Sequence, residues 1–287
     1  MSFPQEDTFS FFRQPKIFMS VLLSLPFDNI LFFISFVKSY FILEGDSAIF
    51  KAMTEYTTDN FLGGLVKLKQ AKDGYRATSD AVLVASAVPA QIGQTVLDVG
   101  CGTGAVSLCL NARVKGLDFV GIDKNAQMIE LAKENAFLNQ CKMAFVEAEI
   151  GPSVLKGHLF NHVVTNPPFY QETLTRKIHG QAFKEDLPLA DWLDFCIKRL
   201  SAKGVLTVIH RADRLGEILS LINGRLGNIK VFPLWPHKGE ASKRVIIQGT
   251  LGSRAPLTLL AGAVLHENET TRPEQIEKVM RSAEKLF

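Results

Sequence analysis

The sequence predicts an α/β protein: a mostly parallel twisted sheet with helices on both faces and an antiparallel C-terminal hairpin. Three observations predict it. Short apolar runs alternate with stretches of helical apolar spacing over residues 95–224, the pattern of parallel strands joined by crossover helices. A glycine-rich turn joins the first run to the first of these helices. The last two runs have no helix between them, so they pair antiparallel.

In chain order, "TVLDVG" (95–100) is the first strand of the sheet and "GAVSLCLNARV" (104–114) the helix after it. "LDFVGID" (117–123) is the second strand, and "NAQMIELAKENAFLN" (125–139) carries apolar residues at helical spacing. "MAFVEA" (143–148) and "FNHVVTN" (160–166) are strands three and four. The amphipathic helix "LADWLDFCIKRL" (189–200) leads to a fifth strand, "GVLTVIH" (204–210), and a helix, "ADRLGEILSLING" (212–224). "NIKVFPLW" (228–235) and "RVIIQGTL" (244–251) are the closing strands. Upstream, "KDGYRATSDAVLVASAV" (72–88) enters a helix capped by Thr78 or Ser79, with Asp80 in a first turn whose dipole favours a carboxylate. Ligands of such sheets sit at the carboxyl ends of the strands.

The chain has 287 residues, 47% hydrophobic and 21% charged, the composition of a globular protein with a sizeable core. Its net charge of +3 permits a nucleic-acid partner without demanding one. Cys101, Cys109, Cys141 and Cys196 form no C-x-x-C pair and have no histidine at ligand spacing, so no metal is expected. They read as buried thiols in a reducing, cytoplasmic compartment. Residues 1–52 hold eleven of the 21 phenylalanines. Pro26, Asp28 and Lys38 break them into pieces shorter than the roughly 20 apolar residues of a membrane span, so no stable membrane association is expected. We expect an extension upstream of a start at Met53, the alternative being a surface-binding amphipathic appendage, and a single domain over 53–287.

In "VLDVGCGTGAVSL" an acid, Asp98, stands beside Gly100, Gly102 and Gly104 at the strand tip. A pyrophosphate at the following helix N-terminus would be repelled by that carboxylate, so the loop suits a cationic or amino-bearing ligand. Asp123 ends the next strand 25 residues on, where its oxygens can accept from two ribose hydroxyls. Glu149 follows the third strand, with Glu147 as a substitute.

Strand four runs into "TNPPFY", although a proline has no N–H to give a ladder. The turn makes chemical sense if Asn166 and the Pro167 carbonyl accept from one exocyclic amino group and draw it from planarity. Pro167 and Pro168 would hold the acceptors rigid, and Phe169 would stack on the ring bearing that group.

The glycine loop resembles the first motif of class I S-adenosylmethionine-dependent methyltransferases, and with "NPPF" after it the chain resembles the amino-methyltransferases of that class. The resemblance implies a Rossmann-like class I methyltransferase fold with S-adenosyl-L-methionine as cofactor. It implies cofactor contacts from Asp98, Gly100, Cys101, Gly102, Gly104, Asp123, Lys124, Glu149 and Asn166, and from the segment of Tyr75, Arg76, Thr78 and Asp80 over the methionine end. Catalysis would fall to Asn166, Pro167, Pro168 and Phe169. Beyond the motifs, "FLGGLVKLKQAKDGYRATSDAVLVASAV", "WPHKGEASKRVIIQGTLG" and "LLAGAVLHENETTRPEQIEKVM" resemble the bacterial enzymes that methylate N6 of the adenine 3′ of the anticodon in valine tRNA. That family usually has tyrosine where Phe169 stands. The resemblance implies a monomer or weak homodimer acting on the tRNA anticodon loop.

The residues themselves say less about RNA. Arg176, Lys177 and Lys184 lie on a long excursion after Phe169, and Lys238, Lys243 and Arg244 flank a glycine turn after Trp235. Both clusters suit phosphates, and both suit a solvated charged loop. Two other readings stay open: a glutamine-amide methyltransferase of a translation release factor, and a non-catalytic cofactor- or RNA-binding protein.

Overall fold

The computed structural model describes residues 55–74, 76–168 and 187–287. The expected boundary at Met53, Tyr75, and the stretch containing Phe169, Arg176, Lys177 and Lys184 lie outside the described residues.

The described chain opens with a hairpin that the sequence does not announce. Strands β1 (Tyr56–Phe61) and β2 (Val66–Ala71) pair antiparallel around a tight turn, Leu62–Gly64. Alternation in β2 sends Val66, Leu68 and Gln70 inward and leaves Lys67 exposed. Helix α1 (Ser79–Ala87) follows and is buried along nearly its whole length, which its unbroken apolar run requires. Its cap is Thr78, whose hydroxyl accepts from the Asp80 N–H.

The main sheet contains β3 (Thr95–Val99), β4 (Asp118–Asp123), β5 (Ala144–Glu147), β6 (Phe160–Thr165), β7 (Leu200–Arg211), β8 (Leu226–Trp235) and β9 (Arg244–Leu251). Two short strands, β10 (Thr258–Leu259) and β11 (Ala263–Val264), lie along β8. The order is β10–β8–β9–β7–β6–β3–β4–β5. The pairs from β5 across to β7 are parallel, and β9 is antiparallel to both β7 and β8. The expected C-terminal hairpin is therefore present, with β9 on its inner side. The run Val245–Gly249 is buried on both faces, which an outer strand could not satisfy.

Helices α2 (Ala105–Arg113) and α3 (Ala126–Leu138) cross over between β3, β4 and β5. Helix α4 (Leu189–Lys198) ends two residues earlier than expected, because β7 already begins at Leu200. Helix α5 (Leu215–Ile222) follows a single tight turn at Ala212–Arg214. Helix α6 (Glu274–Ser282), unassigned from sequence, lays Ile276 and Val279 on the core. Alternate strand residues feed two cores. Val96, Val164, Ile209 and Ile246 face α1, α2 and α6, while Leu97, Val163, Leu206 and Ile247 face α4 and α5.

The hairpin is fastened by amide side chains of α3 acting as a substitute strand. Asn135, fully buried, accepts from Lys69 N–H (2.7 Å) and donates to the Lys69 carbonyl (3.0 Å). One turn on, Asn139 does the same for Lys67 at 2.8 and 2.6 Å. These contacts satisfy edge groups of β2 two residues apart, and the i, i+4 spacing on a helix matches that repeat.

Candidate active site

The order of the sheet reverses at β3, which has β4 and β5 on one side and β6 on the other. Open α/β sheets bind ligands in the crevice at such a reversal, outside the carboxyl ends of the strands. Here the last residues of the two strands, Val99 and Thr165, are direct partners. Gly100 and Asn166 therefore leave the sheet side by side.

The glycine loop is held by its own backbone. The N–H groups of Gly100 and Cys101 both donate to the Ile122 carbonyl at 2.9 Å, and that of Gly104 donates to the Cys101 carbonyl. Gly102 N–H donates to Asp123 Oδ2 at 2.9 Å. These amides are committed within the protein, unlike those of a loop that cradles a pyrophosphate. Gly104 caps α2 at φ +81°, a left-handed conformation that favours glycine. Thr103 Oγ1 is buried in the loop without a hydrogen-bond partner among the described residues.

Asp98 is buried, with its Oδ2 accepting from Ser107 Oγ at 2.7 Å. Burial pushes its carboxyl up to about 7, the Ser107 hydrogen bonds oppose this, and the nearby Asp123 charge adds to it. A cation placed here would be bound by a carboxylate with little other compensation. Asp123 also accepts from Asn125 N–H at 2.9 Å, so each of its oxygens has one backbone donor and keeps a lone pair for a ligand hydroxyl.

Across the crevice, Asn166 Oδ1 is buried and has no hydrogen-bond partner among the described residues. Pro167 behind it is buried and Pro168 half-buried. A buried amide oxygen without a donor costs about 1–3 kcal/mol, so an acceptor left in this state calls for a donor beyond the described residues.

The structure brings together Asp98, Gly100, Cys101, Gly102, Gly104, Asp123 and Asn166 around the crevice. Lys124 is exposed, and Glu147, opposite Asp123 in the β4–β5 ladder, and Glu149 are exposed past the same strand ends. Arg76 stands differently from the expectation that it reaches the methionine end. Its guanidinium pairs with Asp59 and donates to Thr57 Oγ1 (3.0 Å) and the Ala71 carbonyl (2.9 Å), tying the hairpin to the entry of α1. Asp80 and Arg244, expected at the cofactor and at RNA respectively, pair with each other at 3.0 Å and join α1 to β9. Lys238 and Lys243 stand exposed. Thr165 and Thr103 are also buried at this strand tip and loop, and nothing in their spacing marks these hydroxyls in the sequence.

Among the described residues no group of three or more His, Cys, Asp or Glu could hold a metal, and no helix is long and apolar enough to cross a membrane. Cys101, Cys109 and Cys196 are buried, and burial pushes the Cys109 thiol up to about 12.

The fold is that of the class I S-adenosyl-L-methionine-dependent methyltransferases. The chain belongs to the methyltransferase small domain family, whose profile matches residues 77–225. The tRNA1(Val) (adenine(37)-N6)-methyltransferase of Porphyromonas gingivalis is 28% identical over 224 residues, covering 70% of this chain and 86% of its own. A Methanocaldococcus jannaschii protein, MJ0928, provisionally named a protein N5-glutamine methyltransferase, is 31% identical over 158 residues, 53% of this chain and 79% of its own. The chain spans only 30% of the length of another relative, the MG259 homolog of Mycoplasma pneumoniae. Among solved structures, Agrobacterium tumefaciens Atu636, described as a predicted O-methyltransferase, superposes with a TM-score of 0.60 at 23% identity. It covers 72% of this chain and 97% of its own, and supports the fold alone.

Proposed function

We propose that the protein methylates the exocyclic N6 amino group of an adenine in the anticodon loop of a tRNA. The observation that carries the reading is the buried Asn166 Oδ1, without a partner among the described residues and held beside the glycine loop by the Val99–Thr165 pairing. When bound, S-adenosyl-L-methionine supplies an electrophilic methyl group. Asp98 would hold its ammonium, Asp123 its ribose hydroxyls, and the loop from Gly100 to Gly104 its methionine end. Glu149 or Glu147 would stand at the adenine.

Asn166 Oδ1 and the Pro167 carbonyl would accept the two hydrogens of the acceptor amino group. This directs the nitrogen lone pair toward the cofactor side of the crevice, and the rigid prolines limit the reorganisation needed. No base has to act first, because the nitrogen sheds its proton after it has gained the methyl. Phe169 would stack on the acceptor ring, and Lys238, Lys243, Arg176, Lys177 and Lys184 would meet phosphates.

The similarity to the Porphyromonas tRNA enzyme supports RNA as acceptor, since it extends over more of the chain than the family match. A second reading, transfer to a glutamine amide of a protein, is favoured by the similarity to MJ0928 and uses the same two acceptors. An acceptor survey separates them. The full chain is incubated with labelled S-adenosylmethionine and either total tRNA or a translation release factor. Label in N6-methyladenosine of tRNA is expected; label in release-factor glutamine alone would overturn the RNA reading.

A further inference from the structure

A side-chain bridge ties the cofactor loop to the Asn-Pro-Pro turn. Thr165, fully buried, donates its hydroxyl to the Val99 carbonyl at 2.8 Å. The same oxygen accepts from Trp192 Nε1 at 2.9 Å. Val99 is the last residue before the glycine loop and Thr165 the last before Asn166. One hydroxyl thus spans the two positions whose separation sets the distance between methyl donor and acceptor.

The ring of Trp192 adds a second contact. A Cβ on Gly100, which has φ +71°, would lie 2.9 Å from Trp192 Cη2 and Cζ2, closer than carbon atoms approach. The indole therefore rests directly on the Gly100 turn, and only glycine there admits it. Trp192 sits in the first turns of α4, whose inner residues Leu193, Cys196 and Ile197 are buried in the core. The indole is carried by a rigid element, and its N–H and its ring edge reach the two catalytic turns separately.

We propose that Trp192 and Thr165 are positioning residues for methyl transfer, fixing the gap between the Gly100 turn and Asn166. The proposal rests on Asn166 being the amino acceptor. A misplacement of about 1 Å between reacting groups can cost on the order of 100-fold in rate, so the bridge should act on turnover more than on binding. Thr165→Val keeps the shape and removes the hydroxyl; Thr165→Ser keeps the hydroxyl; Trp192→Phe keeps a ring on Gly100 and removes the N–H.

The test measures methyl transfer by the full chain to whichever acceptor, total tRNA or release factor, the unsubstituted chain labels. It also measures S-adenosylhomocysteine affinity. Thr165→Val and Trp192→Phe should lose about 10- to 100-fold in kcat with cofactor affinity essentially unchanged, and Thr165→Ser should restore turnover. Asn166→Ala in the same assay separates the two claims. Parent-like turnover by Asn166→Ala would overturn the assignment of Asn166 and this proposal with it. Full turnover by Thr165→Val beside an Asn166→Ala slowed about 100-fold or more would overturn this proposal alone. A readout without chemistry comes from a Trp235→Phe background, where Trp192 is the single remaining tryptophan. Its emission should change on saturation with S-adenosylhomocysteine, and an unchanged spectrum would overturn the proposal whichever acceptor is used.

Discussion

Replacing Asp98 by asparagine removes a carboxyl that the fold buries against the Ser107 hydroxyl, which donates to it. Its folded value of about 7 stands above the ordinary 3.8, chiefly because burial disfavours the charged form. At about 1.4 kcal/mol for each unit of difference, ionising this group in the folded protein costs on the order of 4 kcal/mol of stability. Because the folded protein holds this proton more tightly than the unfolded chain, the stability is fully present below pH 3.8. It declines as pH rises and is lost once pH passes about 7. The asparagine variant has no such loss. Urea unfolding of both proteins across roughly pH 4.5–8.5 should show the variant gaining on the parent by a few kcal/mol toward high pH. A constant offset between the two curves would refute the reasoning. Cofactor binding should run the other way. A cation against Asp98 favours the ionised form, so parent affinity for S-adenosylmethionine should strengthen as pH rises through about 7, while the variant binds weakly and with a flat profile.

Three further outcomes are expected. Asn135→Ala removes the amide that joins Lys69 and the Thr103 carbonyl, and should cost about 2–4 kcal/mol in urea unfolding while weakening cofactor binding through the loosened loop. Gly100→Ala should lower cofactor affinity, measured by titration calorimetry, because the added methyl meets Trp192 in a backbone conformation that disfavours alanine. On the RNA reading, Lys238→Ala and Lys243→Ala should each reduce the salt slope of tRNA binding by about 1 in filter-binding assays, with turnover at saturating tRNA little altered.

Much of the fold is legible because parallel strands and their crossover helices write themselves as local periodicity. The strand and helix of 95–114 and of 117–139 are found within a residue or so of their ends. The β1–β2 hairpin is less visible. Its alternation of Val66, Lys67, Leu68 and Lys69 is a strand signal only once β1 is known to pair with it, and its outer edge is satisfied by Asn135 and Asn139, which read as ordinary polar helix residues. Helix α6 buries only Ile276 and Val279, too few apolar positions to stand out. In the site, Asp98 and Asn166 are legible because an acid beside glycines and an asparagine before prolines are costly unless used. The commitments of Arg76 to Asp59 and of Arg244 to Asp80 are not, since each spans many residues and depends on how the sheet brings distant segments together. The same holds for Thr165 and Trp192, whose meeting depends on the register of β3 with β6 and on the placing of α4.

The central claim is that Asn166 accepts from the amino group that receives the methyl. The most direct measurement compares the full chain with its Asn166→Ala variant, scoring S-adenosylhomocysteine affinity and N6-methyladenosine formed in total tRNA in the same preparation. The variant should bind the cofactor product as the parent does, be at least as resistant to urea because it sheds a buried oxygen with no partner among the described residues, and form N6-methyladenosine about 100- to 1,000-fold more slowly. Parent-like methylation by the variant, or loss of cofactor binding together with turnover, would contradict the claim.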